Sequence, residues 1–452
     1  MKNFGYLFLF SFIYIFLSVF LFVKVPNMAT RMEIDSPAYT NYTECFEKNC
    51  SFVQPGQTEC KTWFSIGYPL FMVGVRNLFG KSYLPVILIQ ILLGLLSILL
   101  IFKIAAYFFS SNVSLLATFF ASISLAFLIY PQFILTESLL CFLLIFAFER
   151  FSAFLHCRHW NQIIISGFLF GISIIVKSAA IYFIVFLTFF LLICGSKNKI
   201  KKVESAFVFL LFFFIPVFGY VFYNKQTYGY WYLKSVDKVN LYDFLLPQIL
   251  QEQEGLSDEE AKDRAKNLRN VKEFASGTGW EKAQDLLIEK IKEDPVLVIR
   301  IWLKNVMKTF LGLYTNHLKV LLYPQIKGGD CSYFYFSGSW HQKAWKYFTF
   351  GTNSKSVVVL GIVEAFWNLV RYLFVFLGFI YLLIKRKYLW FILFGGYIFY
   401  FSFITGHAGC GRFRSMIEAP LLIMTALGVC VLYDLFVKKK ISILKNENSC
   451  VE

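Results

Sequence analysis

Phe4-Gly5-Tyr6-Leu7-Phe8-Leu9-Phe10-Ser11-Phe12-Ile13-Tyr14-Ile15-Phe16-Leu17-Ser18-Val19-Phe20-Leu21-Phe22-Val23 is the stretch that decides the fold class. It carries no charged residue, and at about 20 residues it is long enough to cross the hydrocarbon core of a bilayer. A secretory leader would have a shorter apolar region, about 7–15 residues, followed by a small-residue cleavage site. No A-x-A pattern follows here, so the stretch reads as an uncleaved first transmembrane helix. The remaining residues repeat the message. Of 452, 58% are hydrophobic and 20% aromatic, and phenylalanine alone accounts for 55. A water-soluble core cannot hide that many phenylalanines, so lipid has to be the solvent for much of the surface.

Further apolar spans fall near 84–102, 112–130, 138–155, 161–176, 179–195, 205–223, 356–384, 388–404 and 416–437. The expected fold class is therefore an all-α polytopic membrane protein of about ten transmembrane helices. The net charge of +16 does not signal nucleic acid, because the bases sit in short connectors between spans, as a topology signal would. These connectors are His156-Cys157-Arg158-His159, Lys197 to Lys202, Lys385-Arg386-Lys387 and Lys438-Lys439-Lys440. Ten scattered cysteines form no CxxC pair that would suggest zinc or redox work.

Counting crossings from a cytoplasmic N-terminus puts the first two basic clusters inside. The last two join them only if the long stretch 224–355 stays outside. Were 297–322 an eleventh crossing, both would land outside, and the segment is too short to cross twice. The expected organisation is an N-terminal transmembrane module (1–223) with an external first loop (25–82), an external helical region (224–355) and a C-terminal transmembrane module with a cytoplasmic tail (356–452). Within 224–355, Ser257-Asp258-Glu259-Glu260 and Thr278-Gly279-Trp280-Glu281 are capping-box patterns opening charged helices. Asp294-Pro295 starts a third. There Arg300, Lys304 and Lys308 recur every four residues, with Val296, Ile299, Leu303, Val306 and Phe310 largely opposite, as in a helix lying in the membrane interface.

On this topology a few ionisable side chains face outward beside the spans. Asp35, in Met32-Glu33-Ile34-Asp35-Ser36-Pro37-Ala38-Tyr39, reads either as a solvated turn-former before Pro37 or as a general base toward a hydroxyl, with Glu33 as a less well framed alternative base. Glu137 opens the fourth span; the helix dipole alone would favour it, but a carboxylate at the edge of hydrocarbon is normally partnered or functional. Lys177 ends the fifth span, where a lysine either snorkels or holds a lipid phosphate as a point charge. Arg412 and Arg414 stand at the mouth of the last span, against the positive-inside trend, which points to an anion. His407 and Cys410 lie in the same loop; as a metal pair they are weak, and they read better as loop residues. The acids suit proton abstraction and substrate orientation, and the bases suit a phosphate leaving group.

In this order the residues resemble the glycosyltransferase C superfamily, polytopic enzymes that use lipid-phosphate-linked sugars. The resemblance rests on D-S-x-x-Y after the first span (Asp35, Ser36, Tyr39) and Gly67-Tyr68-Pro69 before the second. Thr136-Glu137-Ser138 opens the fourth, a Gly167-x-x-x-Gly171 run to Lys177 forms the fifth, and Arg412-x-Arg414 with Glu418-Ala419-Pro420 enters the last. The chain is similar in particular to the branch of protein mannosyltransferase-like and lipid A aminoarabinose transferases. The resemblance implies Asp35 as base, Glu137 assisting, and Lys177 with Arg412 or Arg414 on the lipid phosphate, with Tyr39 and His407 as further substrate contacts. Many relatives have two adjacent acids in the first loop, whereas Ser36 follows Asp35 here.

The implied reaction is inverting transfer from a polyprenyl-phosphate-linked sugar to a hydroxyl of a lipid, glycan or protein, at the external face of a bacterial inner membrane. Membrane lipids are expected partners and nucleic acid is not. The superfamily admits a divalent metal, for which no clear ligand set is visible, and no cofactor is assigned. A transporter is the main rival; it would show related halves and charges near the bilayer midplane. A lipid-linked oligosaccharide polymerase or flippase would lack the first-loop acid. Of the external cysteines Cys45, Cys50, Cys60, Cys331 and Cys410, those of the first loop suit one or two disulfides with pairing open.

Overall fold

A computed structural model describes residues 2–25, 27–32, 35–49, 65–194, 198–229, 231, 233, 240–268, 281–323, 336, 338–350 and 354–438. Glu33, Cys50, Cys60, Cys331, Lys197, the Thr278-Gly279-Trp280 part of the second capping pattern and Lys439-Lys440 lie outside them. From the N-terminus run α1 (Lys2–Lys24), α2 (Ser36–Asn49), α3 (Gly67–Phe79), α4 (Leu84–Phe108), α5 (Ser111–Ser122) and α6 (Leu125–Ile129). Then come α7 (Glu137–Cys157), α8 (Trp160–Val176), α9 (Phe183–Cys194) and α10 (Lys199–Tyr228). The central region holds α11 (Leu246–Glu254), α12 (Asp258–Asn267), α13 (Glu281–Glu293), α14 (Pro295–Leu311), α15 (Tyr314–Leu322) and α16 (Trp340–Thr349). The chain closes with α17 (Lys355–Ile384), α18 (Tyr388–Phe403) and α19 (Glu418–Tyr433), the last entered through a 3₁₀ stretch, Gly411–Ile417. The described residues contain no strand.

Every apolar span read from the sequence is helical, and the chain is a multi-pass integral membrane protein. Among the described residues, six helices are long and apolar enough to cross a bilayer: α1, α4, α7, α10, α17 and the run Gly411–Val437 containing α19. Ser111–Ser122 and Leu125–Gln132 form one span bent by 46°, and α8, Ser178–Cys194 and α18 are shorter apolar helices. The outward side chains of α1 and α10 are exposed phenylalanines such as Phe8, Phe16, Phe207 and Phe218, as lipid solvation requires. Where two helices must touch closely, glycine allows it. A Cβ on Gly167 would lie 2.4 Å from the Phe209 carbonyl oxygen of α10, and one on Gly171 2.3 Å from that of Phe213.

The basic connectors gather at one end of the bundle. Arg158 after α7 donates to the Cys194 carbonyl at the end of α9, 3.0 Å, and at the end of α4 the Tyr107 ring packs against His156 and that of Phe108 edge-on against Trp390. The site described below lies at the other end, where α7 and α19 begin and α8 finishes.

In the central region Ser257 forms the expected capping box with Glu260, and the Asp294 side chain accepts from the Leu297 N–H, 2.9 Å, above Pro295. Neither α14 nor α15 is among the spans. The structure separates α14 into three faces. Val296, Ile299, Leu303, Met307 and Leu311 form an exposed apolar stripe, and Arg300, Lys304 and Lys308 flank it. Asn305 and Thr309 are buried against the loop after α18, and Ile301 is buried in the apolar cluster of the central region with Leu246 and Leu287. A period-based reading puts Val306 and Phe310 with the apolar stripe; the third face arises because Asn305 donates to the Gly406 carbonyl, 2.9 Å, and the Thr309 hydroxyl meets that of Thr405, 3.2 Å.

Candidate functional site

The first loop is fastened to the turn before α7 by a set of hydrogen bonds. Arg31 donates through Nη1 to the Gln132 side-chain oxygen, 2.7 Å, and through Nη2 to the Phe22 carbonyl, 2.9 Å. The Ile134 N–H donates to the Arg31 carbonyl, 2.9 Å, and the Ser36 hydroxyl to the Ile134 carbonyl, 2.8 Å. Gln90 of α4 holds the same turn from below, donating to the carbonyls of Pro131, 3.0 Å, and Phe133, 2.8 Å. These contacts set Asp35, at the start of α2, beside Glu137, at the start of α7.

Between the two carboxylates stands Arg412. Its Nη2 donates to Asp35 Oδ2 at 2.7 Å, and its Nε lies 3.1 Å from Glu137 Oε1, a Coulombic contact rather than an aligned hydrogen bond. Lys177, at the end of α8, donates to the same Glu137 oxygen at 3.1 Å. The result is a chain Asp35–Arg412–Glu137–Lys177 with two negative and two positive groups. Exposure separates the acids: the Asp35 side chain is 25% exposed and that of Glu137 3%. Phe413 floors the cations, its ring 5.2 Å from the Lys177 ammonium and 5.9 Å from the Arg412 guanidinium.

Tyr39, one helical turn beyond Asp35, is buried beneath the pair and meets the Tyr68 ring edge-on at 5.3 Å. Burial, reinforced by the charges of Asp35 and Glu137, pushes its phenol well above the usual range, so it stays protonated. His407 lies at the margin, its ring 5.9 Å from Phe413 and its Nδ1 3.0 Å from the Ile404 carbonyl oxygen.

Arg414 goes elsewhere. It is fully buried in a second charged cluster with Glu364 and Arg371 of α17 and Glu418 of α19. Arg371 Nη1 is 2.7 Å from Glu418 Oε1, and Arg414 Nη2 is 3.3 Å from Glu364 Oε1. The sequence reading passed over Glu364, Asn368 and Arg371. Their spacing of four and three residues on one face of an otherwise apolar span was the available signal, since charges inside a span are costly and so partnered. Arg31 and Gln132 were also missed, and no local pattern marks them.

The donor set around Asp35 and Glu137 does not fit a divalent ion, because each carboxylate is already paired with a cation. Among the described residues no group of three or more His, Cys, Asp or Glu side chains could hold a metal.

Residues 65–220 match the family model described as dolichyl-phosphate-mannose-protein mannosyltransferase, over less than half of the chain. No curated protein matches. Among solved structures, the chain resembles the oligosaccharyltransferase AglB of Archaeoglobus fulgidus in complex with an inhibitory peptide and a dolichol-phosphate. The TM-score is 0.55 at 14% identity, covering 96% of this chain and 51% of that one. The apo form of the Archaeoglobus fulgidus oligosaccharyltransferase gives a TM-score of 0.55 at 15% identity, covering 97% and 52%. The chain thus spans about half the length of the solved structures it matches, and at this identity the likeness is one of fold. Residues 65–220 are thus similar to a protein mannosyltransferase family, and the chain as a whole shares its architecture of membrane helices with the oligosaccharyltransferase.

Proposed function

We propose that the chain transfers a sugar from a polyprenyl-phosphate donor to an acceptor hydroxyl of a lipid, glycan or protein, with inversion at the anomeric carbon. The observation that carries this reading is the ion-pair chain Asp35–Arg412–Glu137–Lys177, in which one carboxylate is accessible and the other is enclosed by cations. Asp35 is the base: its exposure lets an acceptor hydroxyl reach it. Glu137, buried, orients Lys177 and Arg412. The acceptor oxygen bonds to the anomeric carbon as its proton passes to Asp35. The bond from that carbon to the phosphate oxygen breaks, and its electron pair leaves on the phosphate.

Charge balance supports these roles. The residues are neutral as a set, and a phosphodiester donor adds one negative charge. During transfer Asp35 loses its charge by taking the proton while the departing phosphate gains one, so the local sum stays constant. The bases then need only follow charge moving from carboxylate to phosphate, which preorganised cations do well in a medium of low dielectric. The site is proposed to face outward, because the basic connectors gather at the opposite end of the bundle.

The test is transfer from a polyprenyl-phosphate sugar in membranes carrying the wild type or Asp35→Asn at equal abundance. Loss of a general base should lower turnover about 10²–10⁴-fold. Full activity in Asp35→Asn would remove Asp35 as the base.

A further inference from the structure

We propose that Arg414 is a positioning residue that fixes Arg412, rather than a second ligand of the donor phosphate. This role rests on the reading of Arg412 as a phosphate ligand. Arg414 is fully buried, so a lipid phosphate cannot reach it without dismantling its surroundings. Its Nη1 donates to the carbonyls of Phe310, 2.7 Å, and Gly312, 2.8 Å, at the end of α14, where no intrahelical N–H is available to satisfy them. Its guanidinium lies over the Tyr314 ring at 4.2 Å.

Glu364, its partner, caps the next helix. The carboxylate accepts from the Tyr314 N–H, 2.8 Å, and the Thr315 N–H, 2.9 Å, and from the Thr315 hydroxyl. Arg414 and Glu364 therefore close the turn between α14 and α15 from both sides, a cation on the helix end and an anion on the helix start. Glu418 ties the clamp to the bundle, accepting from Arg371, from the Tyr314 hydroxyl at 3.1 Å and from Ser124 at 2.9 Å. Two acids and two bases balance within this buried cluster.

The link to Arg412 is geometric. Both arginines lie in the 3₁₀ stretch Gly411–Ile417, where three residues make a turn, so side chains two apart leave on different sides. Fastening Arg414 on the α14 side presents Arg412 on the side of Asp35 and Glu137. The backbones also touch: a Cβ on Gly312 would lie 2.6 Å from the Gly411 nitrogen. Movement of the clamp is thereby movement of the segment that carries Arg412.

The experiment compares wild type, Arg414→Lys, Arg412→Ala and the double variant in lipid nanodiscs, measuring polyprenyl-phosphate binding and hydrogen exchange across residues 405–413. Arg414→Lys should weaken binding about tenfold in the wild-type background, a loss of about 1.4 kcal/mol. It should weaken it no further in Arg412→Ala, and raise exchange in the loop in both backgrounds. Should Arg414→Lys fail to fold, the charge-balanced Arg414→Met/Glu364→Gln pair carries the same comparison. An additive loss on top of Arg412→Ala would overturn the proposal, since Arg414 would then touch the phosphate itself. Unchanged loop exchange would overturn it as well. A wild type that binds no polyprenyl phosphate sinks the donor reading alone, and the exchange measurement still decides the clamp.

Discussion

Replacing Glu137 by glutamine separates the two acids experimentally. The substitution keeps shape and one acceptor oxygen but removes the charge that faces Lys177 and Arg412, each 3.1 Å away. An exposed pair contributes at most about 1 kcal/mol, and breaking a fully buried one costs about 3–5 kcal/mol. The two cations are 22% and 13% exposed, between those limits, and the glutamine oxygen retains part of the interaction with Lys177. A loss of about 2 kcal/mol in the placement of the cations follows, or about 30-fold in affinity for a ligand that depends on them. The assay is binding of polyprenyl phosphate to protein in nanodiscs, paired with steady-state transfer. Glu137→Gln should act mainly on donor affinity, and Asp35→Asn mainly on turnover. If Glu137→Gln instead binds polyprenyl phosphate as the wild type does and loses about 10³-fold in turnover, the assignment is reversed and Glu137 is the base.

Other expectations concern the frame. Gly409 has φ of +62°, and a Cβ there would lie 2.0 Å from the Asn305 carbonyl oxygen; Gly409→Ala should cost about 1–3 kcal/mol, read as a lower thermal midpoint in nanodiscs. Burial alone would raise the Glu47 carboxyl, but Arg76 and Lys81 hold it below the usual range. Its contribution is therefore present above the unfolded glutamate value, about 4.3, and is lost as pH falls through the lower folded value. Hydrogen exchange across 36–49 should rise in that acid window, and Glu47→Gln should abolish the pH dependence; an identical pH profile in Glu47→Gln would refute this. Ser257→Ala removes the cap of α12 and should cost about 1 kcal/mol locally, seen as faster exchange across 258–262 with transfer activity unchanged.

The sequence shows the helices because lipid enforces a simple rule: a span must be long, apolar and internally hydrogen-bonded. Phe4 to Val23 obeys it, as do α4, α7, α10, α17 and the run Gly411–Val437, and Ser257 and Asp294 mark helix starts by a local chemistry that survives folding. Asp35, Glu137, Lys177 and Arg412 were conspicuous for a related reason, since a charge at the edge of a span is expensive and stands out against its surroundings. What the sequence does not show is which of two neighbouring charges goes where. Arg412 and Arg414 read alike in Gly411-Arg412-Phe413-Arg414, and only the tight 3₁₀ turn sends them to opposite networks.

Under the proposed roles, that divergence gives each arginine of the pair a separate task. A cation that must release Asp35 and take up a phosphate cannot itself be rigidly bound, or the exchange would be slow and costly. Arg412 donates to Asp35 at 2.7 Å and lies 3.1 Å from Glu137 without an aligned hydrogen bond. Its position has to come from the backbone that carries it. Arg414 supplies that constraint by spending its own bonds on the Phe310 and Gly312 carbonyls and on Glu364. Rigidity and exchangeability are incompatible demands on a single guanidinium, and two residues of one short turn divide them.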